Sequence, residues 1–169
     1  MRYFTSDWHL GDDRFDIFFR PFDSVEEQDS IIIEELLRYV TEDDELFHLG
    51  DAVVNKNSIS FLRDIPCKRK VLILGNYDID KEDVLSYFDE FYNSLKLTIG
   101  DTECFLNHYP VNYDPTRFNI TGHIHGLWKV RWNMVNVGVD AWHFKPVSEE
   151  WIKFQMNGIF NHYDENVFI

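Results

Sequence analysis

The chain has 169 residues, 44% of them hydrophobic and 27% charged, which is ordinary composition for one domain able to bury roughly 70% of the surface exposed by its unfolded chain. Its 15 Phe, 8 Tyr and 5 Trp are read first as core packing, since aromatic rings bring the largest burial areas. A formal charge of -14 argues against non-specific binding to a nucleic-acid backbone or to an anionic membrane, and leaves small phosphorylated compounds open.

In chain order, Arg2 to Ser6 reads as a short buried strand ending at Asp7-Trp8-His9. The start runs straight into this motif, so no signal peptide is expected, and no apolar stretch approaches membrane-spanning length. With no CxxC spacing, Cys67 and Cys104 are expected as reduced thiols in a cytoplasmic protein. Gly11 to Asp23 mixes charge, rings and Pro21 and reads as a loop. Ser24 and Glu27 form a capping box for a helix that carries Ile32, Ile33, Leu36, Leu37 and Val40 at helical spacing.

Leu46 to Leu49 is a second strand that delivers Gly50-Asp51. A short helix is predicted from Ser58 to Asp64, closed by Pro66. Val71 to Leu74 is an uninterrupted β-prone run bounded by Gly75-Asn76-Tyr77-Asp78, and Asp80 opens a helix toward Phe88. This alternation predicts an α/β architecture with some parallel pairing.

The second half reads as antiparallel. Leu95 to Ile99 and Thr102 to Leu106 flank Gly100-Asp101, a tight-turn pair, and further strands are predicted at Asn119 to Thr121 and Met134 to Val139. Ser148-Glu149-Glu150 is placed to cap a last helical turn, and Asn157-Gly158 signals a hairpin between Trp151 to Met156 and Ile159 to Tyr163. With no linker or internal repeat, residues 1–169 are expected to form one domain, with 157–169 a candidate C-terminal extension.

Five islands carry the chemistry: Asp7-Trp8-His9, Gly50-Asp51, Gly75-Asn76-Tyr77-Asp78, His108 and Gly122-His123-Ile124-His125. Singly, each has a bland reading as a turn-capping Asp or a packed His. Together they supply Asp, Asn and His ligands at points where strands run out into loops, and they are read as one dinuclear metal site. A carboxylate on an abrupt turn, such as Asp51, can present an oxygen to each of two cations roughly 3.5–4 Å apart.

In order and content the islands resemble the calcineurin-like metallophosphoesterase family, whose pattern is D-x-H, G-D, G-N-H-[DE], H and G-H-x-H. The phrases Asn136 to Asp140 and Lys145 to Ser148 add to the likeness. The resemblance implies two facing mixed β-sheets flanked by helices, a four-layer αββα fold. It also implies one metal held by Asp7, His9, Asp51 and His125, and a second held by Asp51, Asn76, His108 and His123.

The implied activity is hydrolysis of a small phosphodiester or phosphomonoester by a metal-bridging hydroxide. Two divalent ions are implied, with manganese first, though iron, zinc, cobalt or nickel also suits such ligands. One position departs from the family: Tyr77 stands where a histidine usually protonates the leaving group, beside a retained Asp78, and these two are the candidate catalytic pair. A metal-binding but catalytically weak scaffold for protein-protein interaction is the alternative. Arg14 and Arg117, in loops beside the motifs, are candidate phosphate contacts, and His48 is either a ligand-orienting residue or a packed strand histidine. His143 and His162 are expected to be structural or exposed.

Overall fold

The computed structural model describes residues 1–78 and 81–161. Two five-stranded mixed sheets, flanked by helices, form the architecture expected from the resemblance. The first sheet contains β1 (Arg2–Thr5), β2 (Glu45–His48), β3 (Arg69–Ile73), β4 (Glu90–Tyr92) and β10 (Val147–Ser148), in the order β10-β1-β2-β3-β4. Pairing from β1 through β4 is parallel, and β10 runs antiparallel along β1. The second contains β5 (Ser94–Ile99), β6 (Thr102–Asn107), β7 (Phe118–Thr121), β8 (Val130–Arg131) and β9 (Met134–Asn136), in the order β5-β6-β7-β9-β8.

Alternation along the strands explains the layering. Phe47 and Val71 join Leu106, Ile120 and Val135 between the two sheets, whereas their neighbours Leu46 and Leu72 pack with Ile32, Leu36 and Leu62 under the helices. Helix α1 (Val25–Leu37) starts as its capping residues dictate, with the Ser24 hydroxyl accepting from Glu27 N–H at 3.1 Å. The expected helix after Ser58 is a 3-10 turn at Lys56–Ser58 followed by α2 (Ser60–Arg63); α3 (Glu82–Leu85) lies within the span expected to be helical, and Asp80 lies outside the described residues.

Two expectations are corrected. The second half is not simply antiparallel: β5 and β6 form the hairpin at Gly100-Asp101, but β6 pairs parallel with β7 and β7 parallel with β9. The connection from His108 to Arg117 returns the chain to the starting end of the sheet through only a 3-10 turn at Pro110–Asn112, so no helical pattern announces the crossover. Asn157-Gly158 makes no hairpin, because both residues lie inside helix α4 (Glu149–Asn161). Burial of Ile152 and Met156 in the inter-sheet core outweighs the cost of about 1 kcal/mol for a helical glycine. Asn157 also accepts an i+4 hydrogen bond from Asn161 at 2.9 Å.

His48 ends β2 as a packed strand histidine, fully buried edge-on against the Trp8 ring at 4.3 Å, with neither ring nitrogen hydrogen-bonded. Burial drives its pKa down to about 3, whereas the unfolded chain takes up this proton near 6.5. A histidine depressed in the folded state binds fewer protons there, so its contribution is fully present above pH 6.5 and is lost as pH falls toward 3. His48→Leu is therefore expected to flatten the acid side of the stability profile, narrowing the loss between pH 7 and 4.5 by about 2 kcal/mol. Urea unfolding in chelator, with wild type and variant side by side, checks this; parallel profiles would contradict it.

Candidate metal centre

The parallel register places Thr5, His48 and Leu72 side by side, so the turns after β1, β2 and β3 emerge together. In the second sheet Asn107 pairs with Thr121, which brings His108 and Gly122-His123 to the same end. Within the first group Asp7 N–H donates to Gly50 O at 3.0 Å and His9 N–H to Asp51 O at 3.0 Å, and the two groups are joined by His123 N–H donating to the Asp7 carboxylate at 2.9 Å.

The backbone at these turns is strained. Asp7, His9, Asp51, His123 and His125 all have positive φ, from 50° to 73°, the left-handed region that non-glycine residues rarely adopt. The neighbouring glycines supply the room. A Cβ on Gly75 would stand 2.3 Å from Asp51 Oδ1, and one on Gly122 1.9 Å from Ser6 Oγ.

Two triads result. Asp7, His9 and His125 each bring a ligand atom within 4.8 Å of the others, and so do Asp51, His108 and His123. Asp51 joins them: its Oδ2 lies 3.5 Å from His9 Nε2 in one triad and 3.5 Å from His108 Nε2 in the other. Asn76 completes the second group, its Oδ1 lying 3.2 Å from His108 Nε2, which is also 3.2 Å from His123 Nδ1.

This donor set fits divalent cations. Three imidazoles have Nδ1 tied from outside, His9 to Asp12 at 3.2 Å, His108 to Leu49 O at 2.6 Å and His125 to Asp140 at 2.7 Å, which leaves each Nε2 free as a ligand. His9 Nε2 is buried without any hydrogen-bond partner, an orphaned polar atom that a cation would satisfy. Carboxylate, amide and imidazole donors suit first-row divalent ions as a class.

Burial opposes the charged forms of His9 and His108, but Asp12 and Asp51 outweigh it for His9, and Asp51 for His108, so both attract protons more than a free imidazole does. Asp51 is driven upward by burial and then pulled well below the carboxylate range by the neighbouring imidazoles of His108 and His9. His123 moves the other way, lowered by burial and then by neighbouring His108.

Three structural residues carry no local sequence signal. Arg20 is buried and donates to both carboxylate oxygens of Asp140, to Asp7 O, to Trp8 O at 2.8 Å and to Gln28 Oε1 at 2.8 Å. Asp140 in turn holds His125, and Asp12 holds His9 while accepting two hydrogen bonds from the Arg14 side chain and one from its backbone N–H. Of the three, only Asp140 fell inside a noted phrase, Asn136 to Asp140.

The remaining candidates divide. Arg14 stands at the mouth, its side chain 46% exposed, bound to Asp12 and donating to the Tyr77 hydroxyl at 2.9 Å. Tyr77 packs edge-on against His9, ring centroids 4.9 Å apart, and its N–H donates to Asp51 Oδ1 at 2.8 Å. Asp78, expected in the catalytic pair, is instead fully buried: its carboxylate accepts from the N–H groups of Asp51, Ala52 and Gly75 at 2.7, 3.1 and 2.9 Å. Its carboxylate clamps the turns after β2 and β3 together. Arg117 is corrected outright. It precedes β7, at the sheet end opposite His123, and is paired with Glu103 and Asp114. His143 is exposed, and His162 lies outside the described residues.

No family model matches the sequence. The chain is 26% identical over 180 residues to the Gene 66 protein of Mycobacterium phage L5, covering 83% of this chain and 86% of that one. Among solved structures, a protein of unknown function from Aquifex aeolicus is 27% identical with TM-score 0.76, over 92% of this chain and 98% of that one. The nuclease MPE of Pseudomonas putida is 20% identical with TM-score 0.53, over 73% of this chain and 61% of that one, a likeness of fold alone. No helix among the described residues is long and apolar enough to cross a membrane.

Proposed function

We propose that the chain is a calcineurin-like phosphoesterase that uses two divalent cations to hydrolyse a small phosphoester, with manganese the first ion to test. The observation that carries this reading is Asp51 Oδ2, equidistant at 3.5 Å from the Nε2 atoms of two histidines that belong to separate triads. On this reading Asp7, His9, Asp51 and His125 hold one ion, and Asp51, Asn76, His108 and His123 hold the other. When bound, such a pair supplies a water-derived nucleophile near neutral pH and neutralises charge on the phosphoryl oxygens. The nuclease likeness places phosphodiesters beside monoesters in the substrate panel.

The protein's own side chains then position and donate. Arg14 is fixed by Asp12 and Tyr77, and its exposed guanidinium edge is the group we assign to a substrate phosphate oxygen. Because the Tyr77 oxygen accepts from Arg14, its own O–H proton is free to point into the cleft, toward a leaving-group oxygen. Removing that donor has a signature that depends on the leaving group. Tyr77→Phe is expected to lower turnover of alkyl phosphodiesters about a hundredfold, within the usual range for general acid catalysis, while barely affecting aryl diesters whose leaving groups need little protonation.

Steady-state assays with manganese on both substrate types test the reading. Hydrolysis by wild type with that split supports it. No hydrolysis of any diester or monoester in a broad panel would favour a metal-binding scaffold instead.

A further inference from the structure

One surface feature beside the centre is not needed for holding cations or a phosphate. A cleft of about 620 Å³ is lined by His123 and His125 together with Ile17, Phe18, Phe19 and Leu127. That is the size of a small-molecule site, and it shares its histidine wall with the candidate metal centre.

Its apolar side is exposed and yet firmly held. Phe19 is 94% exposed, Leu127 80% and Ile17 57%. Phe18 stacks on the His125 ring with centroids 4.0 Å apart and planes 11° from parallel. Phe19 ends the 3-10 turn at Phe15–Phe18 with φ 57° and its N–H on Asp16 O. The next residue, Arg20, is buried and fully engaged, so the turn cannot swing inward to hide the Phe19 ring. Scattered exposed apolar side chains are ordinary, but a contiguous group fixed against a polar centre marks a binding face.

Charge narrows the occupant. Of the two arginines of this segment, Arg20 is committed to Asp140 and Arg14, held by Asp12 and Tyr77, leaves one guanidinium edge for a single phosphate, and the chain as a whole carries -14. Nothing here tracks a run of phosphates. A ligand with one phosphate at the metal centre and a flat, uncharged aromatic group in the cleft fits both halves, because the cleft presents the exposed Phe19 ring beside Phe18, whose own ring is held by His125 and the Arg20 guanidinium.

We propose, resting on the phosphoesterase reading, that this cleft stacks the nucleobase of a small nucleotide substrate and so sets preference for nucleotide over sugar-phosphate esters. Phe19 and Leu127 are the specificity-determining residues. Both are exposed, so replacing them leaves the core intact.

The test is calorimetric titration of the manganese-loaded protein with adenosine 5′-monophosphate, ribose 5-phosphate and octyl phosphate. Adenosine monophosphate is expected to bind about tenfold or more tighter than ribose 5-phosphate, the effect of one base-aromatic stack. In the double variant Phe19→Ser, Leu127→Ser that ratio is expected to shrink to about twofold, with metal content unchanged. A wild-type ratio near one, a ratio preserved in the double variant, or octyl phosphate binding tighter than the nucleotide would each overturn the proposal. So would concentration-dependent dimerisation that the double variant abolishes without any nucleotide preference, which would assign the face to a second copy of this chain. Diester hydrolysis measured alongside separates the two claims: hydrolysis without base preference removes only the cleft assignment, whereas no hydrolysis and no binding removes both.

Discussion

Asp51→Asn is expected to reduce phosphodiester hydrolysis by about a thousandfold or more and to cut bound manganese from two ions per chain to one or none. The argument is geometric. Asp51 Oδ2 is the only carboxylate oxygen among the described residues placed 3.5 Å from a histidine Nε2 of each triad, so both cation positions lose the same charge at once. Asparagine keeps the size and the acceptor that Tyr77 N–H uses, but it puts neutral oxygen or an N–H donor where an anion stood. The fold should survive, because asparagine keeps the acceptor for Tyr77 N–H and Asp78 still clamps the turns. Steady-state kinetics with elemental analysis check both effects; a variant that keeps two ions and wild-type turnover would contradict the assignment.

Arg20→Met is expected to be the most destabilising change in the loop between β1 and α1. Arg20 is buried and makes five hydrogen bonds to four residues, and its loss strands the Asp140 carboxylate with His125 alone, along with the carbonyls of Asp7 and Trp8. Breaking such a buried pair from one side costs about 3–5 kcal/mol. For a chain of this size that lowers Tm by about 10 °C. His125 loses the support of its Asp140 anchor, so metal affinity should fall by about ten- to a hundredfold as well. Thermal unfolding with and without manganese measures both, and a Tm within about 2 °C of wild type would show that the pair is not structural.

The seven residues of the islands were legible because each follows or ends an apolar, β-prone run, and parallel strands put their ends together. The partners behind them were not. Arg20 meets Asp140 across 120 positions of sequence, and no local pattern announces such a pair. Arg117 misled through adjacency: it is only six positions before His123, but the four residues of β7 carry the chain about 13 Å along the sheet in between. Asn157-Gly158 misled because a dipeptide turn signal is local, whereas burial of Ile152 and Met156 between the sheets is not. Asp78 stands out by its motif, but the three backbone N–H groups converging on its carboxylate can be seen only in space. The strain at Asp7, His9, Asp51, His123 and His125 is likewise invisible in sequence, and it is the most direct mark of a site held for function and not for stability.

The central claim is that one carboxylate joins two cation positions. Electron paramagnetic resonance of the protein titrated with manganese tests it most directly. The account predicts two ions per chain with a spin-coupled spectrum in wild type, and loss of that coupling in Asp51→Asn. A spectrum of isolated ions at every loading, or no stoichiometric binding, would contradict it.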